Sequence, residues 1–417
     1  MSGPWSGAQG RDFRVFWAGT AVSQVGTAVT GLALPLLVLL QLGGGAGAVG
    51  ALRALEFAPY LLLGLPAGLL VDRRRRRSLM IGCDLARALA LGAVPLASAT
   101  GHLSLGLVLV VVFMVGCATV PFDVASLSAL PWLVERERLG TAQAALQGSG
   151  AAAEVVGPGL SGVLVAAVQA TNAVLLDAVT YAVSAVALLL VRRPEPAPEP
   201  PAAAASLRVE VLAGLRQLRH SPLLLPLVSW GAVANLLNTA TQTVGLVFAV
   251  REVHLSSSAL GLTLAAGILG APLGAVTSNR VAARLGVGRL LVLTVLLEGA
   301  GFLAFGAAMP GPLAVVQMAA GLFLATLGSL WFNVQSVALR QAVTPPAILG
   351  RVHAAARTSF YATIPLGGAL GGLLATAVGD RAVVLGGATA TLLSVVLLTR
   401  PAVLRLTAIP HQHEPVW

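Results

Sequence analysis

Apolar residues form twelve long runs along the chain, each longer than about 18 residues and each separated from the next by a short polar or charged stretch. A run of this length crosses the hydrocarbon core of a bilayer as a helix, because the bilayer offers no water to unpaired backbone groups. The sequence therefore predicts twelve transmembrane helices. They lie near residues 13–40, 47–71, 79–99, 103–128, 140–168, 171–191, 222–250, 258–283, 289–309, 312–338, 347–377 and 381–400.

The amino-acid composition also indicates a membrane protein. The chain is 57% hydrophobic and only 10% charged, with a mean hydropathy of +0.87, which leaves too little polar surface for a soluble domain. Its net charge of +10 does not indicate nucleic-acid binding, because no basic face carries base-stacking aromatic residues. Lysine is absent, so the sequence contains no Walker A lysine and no Schiff-base lysine.

The arginines indicate the orientation in the membrane. If the N-terminus is cytoplasmic, 21 of the 26 arginines fall on the cytoplasmic side, among them the five consecutive residues 73–77. Positive charge accumulates on that side of membrane proteins. We therefore expect both termini in the cytoplasm. The arginine-only, alanine- and glycine-rich composition is typical of a GC-rich bacterial genome, so we expect a multi-pass protein of the bacterial plasma (inner) membrane.

A proline-rich segment divides the chain. Residues 192–221 begin with RRPEPAPEPP, which cannot span a membrane, and continue into a short amphipathic helix with Leu207, Val211, Leu215 and Leu218 on one face. This predicts a cytoplasmic linker between an N-terminal six-helix half, residues 1–191, and a C-terminal six-helix half, residues 222–417.

An internal repeat supports two equivalent halves. Residues 122–168 align without gaps to residues 332–378 with 15 identities in 47 positions, where composition alone gives roughly five. Because each half has an even number of helices, the two halves are predicted to be related by a pseudo-two-fold axis along the membrane normal.

Several motifs together resemble the major facilitator superfamily, over nearly the whole chain. The superfamily pattern Gly-x-Leu-x-Asp-Arg-x-Gly-Arg-Arg appears between the second and third helices, with an arginine in place of the second glycine. Four further segments are similar to the macrolide-efflux and enterobactin-exporter branch. These are RDFRVFWAGTAVSQVGT from residue 11, ALPWLV from residue 129, GPGLSG from residue 157 and PPAILGRV from residue 345.

The resemblance implies a function and a gate. It implies a secondary active transporter, and a proton-coupled exporter of drugs or amphiphilic small molecules in particular. In the family, the acid of the loop motif holds the two halves together on the cytoplasmic side. By resemblance, the gate comprises Gly68, Asp72, Arg73 and Arg76.

Ionisable residues inside the predicted spans are candidates for proton coupling, because a charge in hydrocarbon costs several kcal/mol and faces a partner or a cavity. Glu154 is the first candidate, since it precedes the helix-packing residues Gly157, Pro158 and Gly162 and has no cation within a turn. Asp123 is the second, and Glu298 also has no cation within a turn on its own helix. Two further candidates, Glu56 and Asp84, have an arginine one turn away, and residues paired in this way, here Arg53/Glu56 and Asp84/Arg87, most often neutralise each other.

Uncharged polar residues on the first and seventh helices indicate an amphiphilic cavity, with contacts between helices as the alternative. Arg357 and Tyr361, one turn apart, suit an anionic or aromatic group of a ligand. The candidates for the cavity are Gln24, Thr27, Asn235, Asn238, Gln242, Arg357 and Tyr361.

Other functional classes remain as alternatives. An importer or a transporter of metabolites or lipids would use the same fold. The short motif around Ser161 resembles that of intramembrane serine hydrolases, yet the repeat places Gly371 opposite Ser161. A serine nucleophile also needs a base, and the only histidine inside a predicted span, His353, lies near a helix start. We expect no enzymatic activity, no cofactor and no metal, and a monomer whose partners are a small-molecule substrate, protons and the lipid bilayer.

Overall fold

The structure is a computed structural model that describes residues 8–195, 216, 218, 219 and 221–410. The described residues form helices joined by short connections, and most of the predicted linker with its amphipathic helix lies outside them. The helices are α1 (Ala8–Leu40), α2 (Ala46–Arg73), α3 (Arg76–Ala99), α4 (Leu105–Leu133), α5 (Leu139–Val168), α6 (Ala170–Leu190), α7 (Leu224–Arg251), α8 (Ser257–Ile268), α9 (Gly270–Leu285), α10 (Val287–Gly306), α11 (Ala314–Val343), α12 (Pro346–Val378), α13 (Asp380–Leu393) and α14 (Pro401–Leu404).

Twelve helical segments among the described residues are long and apolar enough to cross a membrane, so the predicted all-α fold with twelve membrane helices is confirmed. The eighth of these segments, Ser257–Leu285, consists of α8 and α9. Ser104 caps the start of α4, where its hydroxyl accepts a hydrogen bond from the backbone N–H of Leu107.

Each half of the chain uses the same packing scheme. In the first, α1 packs against α5 and α6, and α3 packs against α4 and α6. In the second, α7 packs against α12 and α13, and α10 packs against α11 and α13. Each has its own apolar core, with Phe13, Phe16 and Leu133 in one and Trp230 and Leu290 in the other. The structure thus extends the sequence repeat to the arrangement of helices within each half.

The described residues form two compact units, each of which combines several chain segments. In each unit, two helices that are distant in sequence cross closely at glycine residues. The first unit contains residues 8–44, 55–195 and 256–262, and the second contains residues 45–54, 216, 218, 219, 221–255 and 263–410. In the first unit, a Cβ added at Gly162 would lie 3.0 Å from the Cα of Gly261. In the second, a Cβ added at Gly50 would lie 3.0 Å from the Cα of Gly372. Such close backbone approach requires small residues on both helices.

The connection from the fifth to the sixth span repeats in both halves. Gln169 joins α5 to α6 with φ 71° and ψ 159°, and Gly379 joins α12 to α13 with φ 88° and ψ 158°. Position 379 follows position 169 by the same 210 residues as the aligned repeat. Only glycine adopts this backbone conformation without strain. Gln169 therefore holds a strained conformation that the second half achieves with glycine.

Candidate functional site

The arginine-rich stretch lies between α2 and α3. Gly68 and Arg73 lie in the last turns of α2, and Arg76 begins α3. The side chain of Asp72, the acid of the predicted gate, is outside the described part of the structure, so its role stays a prediction. Arg73 lines a cleft of about 430 Å³ between α2 and α4. The other residues of this cleft are apolar: Leu63, Pro66, Ala67, Leu70, Cys117 and Pro121.

The chain that leaves α6 is held against this stretch. Glu195 accepts hydrogen bonds from the backbone N–H groups of Arg76, at 2.5 Å, and Arg77, at 3.1 Å. A carboxylate at that position satisfies unpaired N–H groups and opposes the positive end of the helix dipole. On α1, Asp12 accepts from the backbone N–H groups of Arg192 and Arg193. Both carboxylates therefore anchor the first residues of the predicted linker to the first unit.

A buried ion pair occupies the interior of the first unit. Asp84 is fully buried on α3, Arg87 is 3% exposed one turn later, and the guanidinium donates a hydrogen bond to the carboxylate. The guanidinium carbon also lies 4.1 Å from the ring centroid of Phe122 and 4.2 Å from that of Tyr181. The two rings and the carboxylate together compensate the cation for its lost hydration. The neutralised pair suggested for Asp84 is therefore present.

A second acid lies beside this ion pair. Asp177 is 1% exposed on α6, one turn before Tyr181, whose ring covers Arg87. Its Oδ1 accepts a hydrogen bond from the Thr180 hydroxyl, and its Oδ2 has no hydrogen-bond partner in the described part of the chain. We name Asp84, Arg87, Asp177 and Tyr181 the acid–arginine cluster. It contains two carboxyl groups and one guanidinium.

The other acids of the first unit are more accessible. Glu154 is exposed on α5 and makes no hydrogen bond or ion pair within the described residues. The small residues near it pack inward: a Cβ at Gly157 would press against Ala28. Asp123 is exposed and accepts a hydrogen bond of 2.9 Å from the Tyr60 hydroxyl. Glu56 lies half-buried on α2.

The polar residues predicted to line a cavity from α1 make contacts between helices. Gln24 accepts a hydrogen bond of 2.8 Å from the Ser149 hydroxyl of α5. The Thr27 hydroxyl lies 2.8 Å from the Tyr181 hydroxyl of α6. The structure therefore joins the predicted cavity residue Thr27 to the acid–arginine cluster.

A chain of amides on α7 leads to a buried acid in the second unit. Exposed Gln242 donates a hydrogen bond of 3.0 Å to the side-chain oxygen of Asn238, and Asn238 donates to Oε1 of Glu298 on α10. Glu298 is 1% exposed. One turn before Asn238, Asn235 donates to the Phe360 carbonyl and to the Thr363 hydroxyl of α12. Two of these three predicted cavity residues thus connect to an intramembrane acid.

The structure also locates the predicted pair Arg357 and Tyr361, and Ser161 of the serine hydrolase motif. The Arg357 guanidinium lies 5.3 Å from the ring centroid of Tyr361, and Arg357 is exposed, so this predicted pair does come together. Ser161 is fully buried, and its hydroxyl donates a hydrogen bond of 2.8 Å to the carbonyl of Val29. Ser161 has the position of a packing residue between α5 and α1, next to the crossing at Gly162.

Sequence reasoning missed Asp177 and the two linker anchors. Asp177 lies in an apolar run, so the criterion that selected Glu154 would have found it. Nothing in the sequence singled out Asp12 or Glu195, because their partners are backbone N–H groups more than 100 residues away. Among the described residues, no group of three or more histidine, cysteine, aspartate or glutamate side chains is arranged to hold a metal ion.

Three relatives of this chain are efflux or export proteins. The chain is 28% identical to macrolide efflux protein A of Streptococcus pyogenes over 184 residues, 44% of this chain and 45% of that protein. It is 31% identical to the enterobactin exporter EntS of Citrobacter koseri over 234 residues, 55% of this chain and 53% of that protein. It is 28% identical to the multidrug efflux pump Tap of Mycolicibacterium fortuitum over 373 residues, 86% and 87% of the two chains. The first two of these matches span about half the length of each relative.

The fold matches solved transporters. The nucleoside transporter NupG superimposes with a TM-score of 0.72 at 14% identity, covering 93% of this chain and 98% of that one. The family model described as Major Facilitator Superfamily matches residues 16–250, more than half of the chain. With its twelve membrane helices and its repeated packing scheme, the chain belongs to the major facilitator superfamily.

Proposed function

We propose that the protein is a proton-coupled exporter of amphiphilic small molecules, of the macrolide or siderophore type, that works by alternating access. Similarity to a macrolide efflux protein, an enterobactin exporter and a multidrug efflux pump supports export, at identities of 28–31%. The twelve membrane helices and the family support transport of a small molecule across a bilayer.

The acid–arginine cluster is the observation that carries the proposal of proton coupling. Asp84 and Arg87 neutralise one another, and Asp177 lies beside them with one oxygen unpartnered in the described residues. A second negative charge in this dry interior would be uncompensated, so the cluster favours a proton on one carboxyl group. Opening the cluster to water on one side would allow that proton to leave.

Glu154 and Asp123 serve this mechanism at more exposed positions. Both are exposed, and Asp123 is linked to α2 through Tyr60. Acids that exchange protons with water suit entry to and exit from a buried proton site. Glu56 lies on the same helix as Tyr60, one turn earlier.

We assign substrate contact to the polar and aromatic groups that remain accessible. Gln242 and Arg357 are exposed, and Arg357 lies over Tyr361. A guanidinium beside an aromatic ring suits an anionic or aromatic group of an amphiphile. Gln24, Thr27, Asn235 and Asn238 contribute by holding the helices in place.

The gate lies at the end of α2, on the face that the arginines assign to the cytoplasm. Gly68 has open space around its Cα, and Arg73 lines the cleft. The backbone of Arg76 is fixed by Glu195. If Asp72 holds this gate, Asp72→Asn will slow transport and increase labelling of cysteines placed in the cleft. Unchanged rates and labelling would remove Asp72 from the gate.

Everted membrane vesicles provide the test of function. With an acidic lumen, vesicles that contain the protein will accumulate a labelled macrolide or a cationic dye, and collapse of the pH gradient will release it. Asp177→Asn will abolish the accumulation, whereas Glu137→Gln, in the exposed turn just before α5, will leave it unchanged. Accumulation that ignores the pH gradient would refute proton coupling, and substrate movement in the opposite direction would indicate an importer.

A further inference from the structure

The second unit contains a buried carboxyl group that the acid–arginine cluster does not explain. Glu298 lies in the middle of α10 and is 1% exposed. Its Oε1 accepts a hydrogen bond from the Asn238 amide, and its Oε2 has no hydrogen-bond partner in the described part of the chain. An ionised carboxylate can accept about four hydrogen bonds, so this site supplies far fewer donors than the charged form needs.

Cations do not compensate Glu298. The charged side chains on the helices that pack against α10 are Arg251 on α7, Arg280 and Arg284 on α9, Arg340 on α11, and Asp380 and Arg381 on α13. Gly328 on α11 packs against the backbone of Glu298, and Gly299, next to Glu298 on α10, packs against Ala388 on α13. Gly328 and Ala388 therefore mark the level of Glu298 on these two helices. Arg340 is twelve residues beyond Gly328, roughly 18 Å along the helix, and Arg381 is seven residues before Ala388, roughly 10 Å.

The remaining charges are also distant. Arg251 is thirteen residues beyond Asn238 on α7, and Arg280 is six residues beyond Gly274, which packs against α11 at the level of Gly328. Arg289, on α10 itself, is nine residues before Glu298, roughly 13 Å. No salt bridge joins Glu298 to any described residue. The surroundings therefore fit a neutral carboxylic acid.

A hydrogen-bonded path leads from this acid to the surface of the unit. Asn238 is partly buried and receives a hydrogen bond from Gln242, which is exposed. Both amides lie on one face of α7, four residues apart. Any change in the charge of Glu298 therefore alters the hydrogen bonding of an accessible side chain.

We infer that Glu298 is a second proton-binding site, in the C-terminal half, and that Asn238 couples its protonation to Gln242. The neutral acid carries its proton on the unpartnered Oε2 while Oε1 accepts from Asn238. Loss of that proton leaves a carboxylate that needs further donors, which water or a substrate at Gln242 can supply. The consequence for transport rests on the proposed function, whereas proton binding does not.

Infrared difference spectroscopy of the purified full-length protein tests proton binding without any transport. A protonated carboxyl group has a C=O stretch that carboxylates lack, and this band will disappear as the pH is raised. Glu298→Gln will remove one component of the band, whereas the matched variant Glu137→Gln, at an exposed acid before α5, will leave that component in place. An identical band in the Glu298→Gln protein would overturn the inference.

A second variant tests the coupling and does not depend on how well Glu298→Gln folds. Asn238→Leu removes the donor to Oε1, so the Glu298 band will move to higher frequency, as it does for any carbonyl that loses a hydrogen bond. An unmoved band would refute the coupling through Asn238. If both spectra behave as expected while everted vesicles accumulate substrate without a pH gradient, the proton site stands and the proposed function fails.

Discussion

Replacing Arg87 by methionine tests how the acid–arginine cluster is held together. The substitution keeps an apolar stem among Phe122 and Tyr181 but leaves Asp84 buried without its cation. Breaking a buried ion pair in this way costs about 3–5 kcal/mol, because an uncompensated charge remains. Two rings within 4.2 Å of the guanidinium carbon add cation–π interactions of about 2 kcal/mol each when desolvated, so we expect the upper part of that range.

The double variant Asp84→Leu with Arg87→Met separates charge from packing. Replacing a buried pair by apolar residues of similar volume is often neutral, so the double variant will recover most of the stability lost by Arg87→Met alone. Thermal unfolding of the purified protein in detergent provides the measurement. A loss of about 4 kcal/mol lowers the midpoint by roughly 10 °C for a unit of about 200 residues. A single variant within about 2 °C of the parent, or a double variant no better than the single, would refute the reasoning.

Two further predictions concern the connections. Gln169→Gly relieves a strained backbone and will stabilise the protein by about 1 kcal/mol, whereas Gly379→Gln introduces the same strain and will destabilise it by a similar amount, both by thermal unfolding. Equal effects at the two positions would contradict this account of the turn. Glu195→Ala leaves two N–H groups of α3 without an acceptor and will cost about 1 kcal/mol, with Glu137→Ala as a neutral control. A loss no greater than that of the control would show that Glu195 does not anchor the linker.

Much of the fold follows from the sequence because apolar length and the absence of water leave few alternatives in a bilayer. The repeat was visible in sequence from residue 122 to 168 and from 332 to 378. The structure extends it to equivalent helix contacts and to the turn shared by Gln169 and Gly379. The turn could not be predicted, since glutamine and glycine share no sequence signal.

Site residues were harder to rank from the sequence. The spacing of Asp84 and Arg87 correctly indicated an ion pair. Glu154 lies one turn from inward-packing glycines and is nevertheless exposed, because which face of a helix is buried depends on its neighbours. Asn238 and Glu298 are 60 residues apart in sequence, and only the packing of α7 near α10 brings them together.

Coupled movement of drug and protons is the central claim, and purified protein reconstituted in liposomes tests it most directly. A macrolide gradient imposed across the membrane will drive protons in the opposite direction, measured with a pH-sensitive dye in the lumen. Asp177→Asn will abolish the pH change. Macrolide movement without any change in lumenal pH, or a pH change that Asp177→Asn leaves intact, would contradict the account.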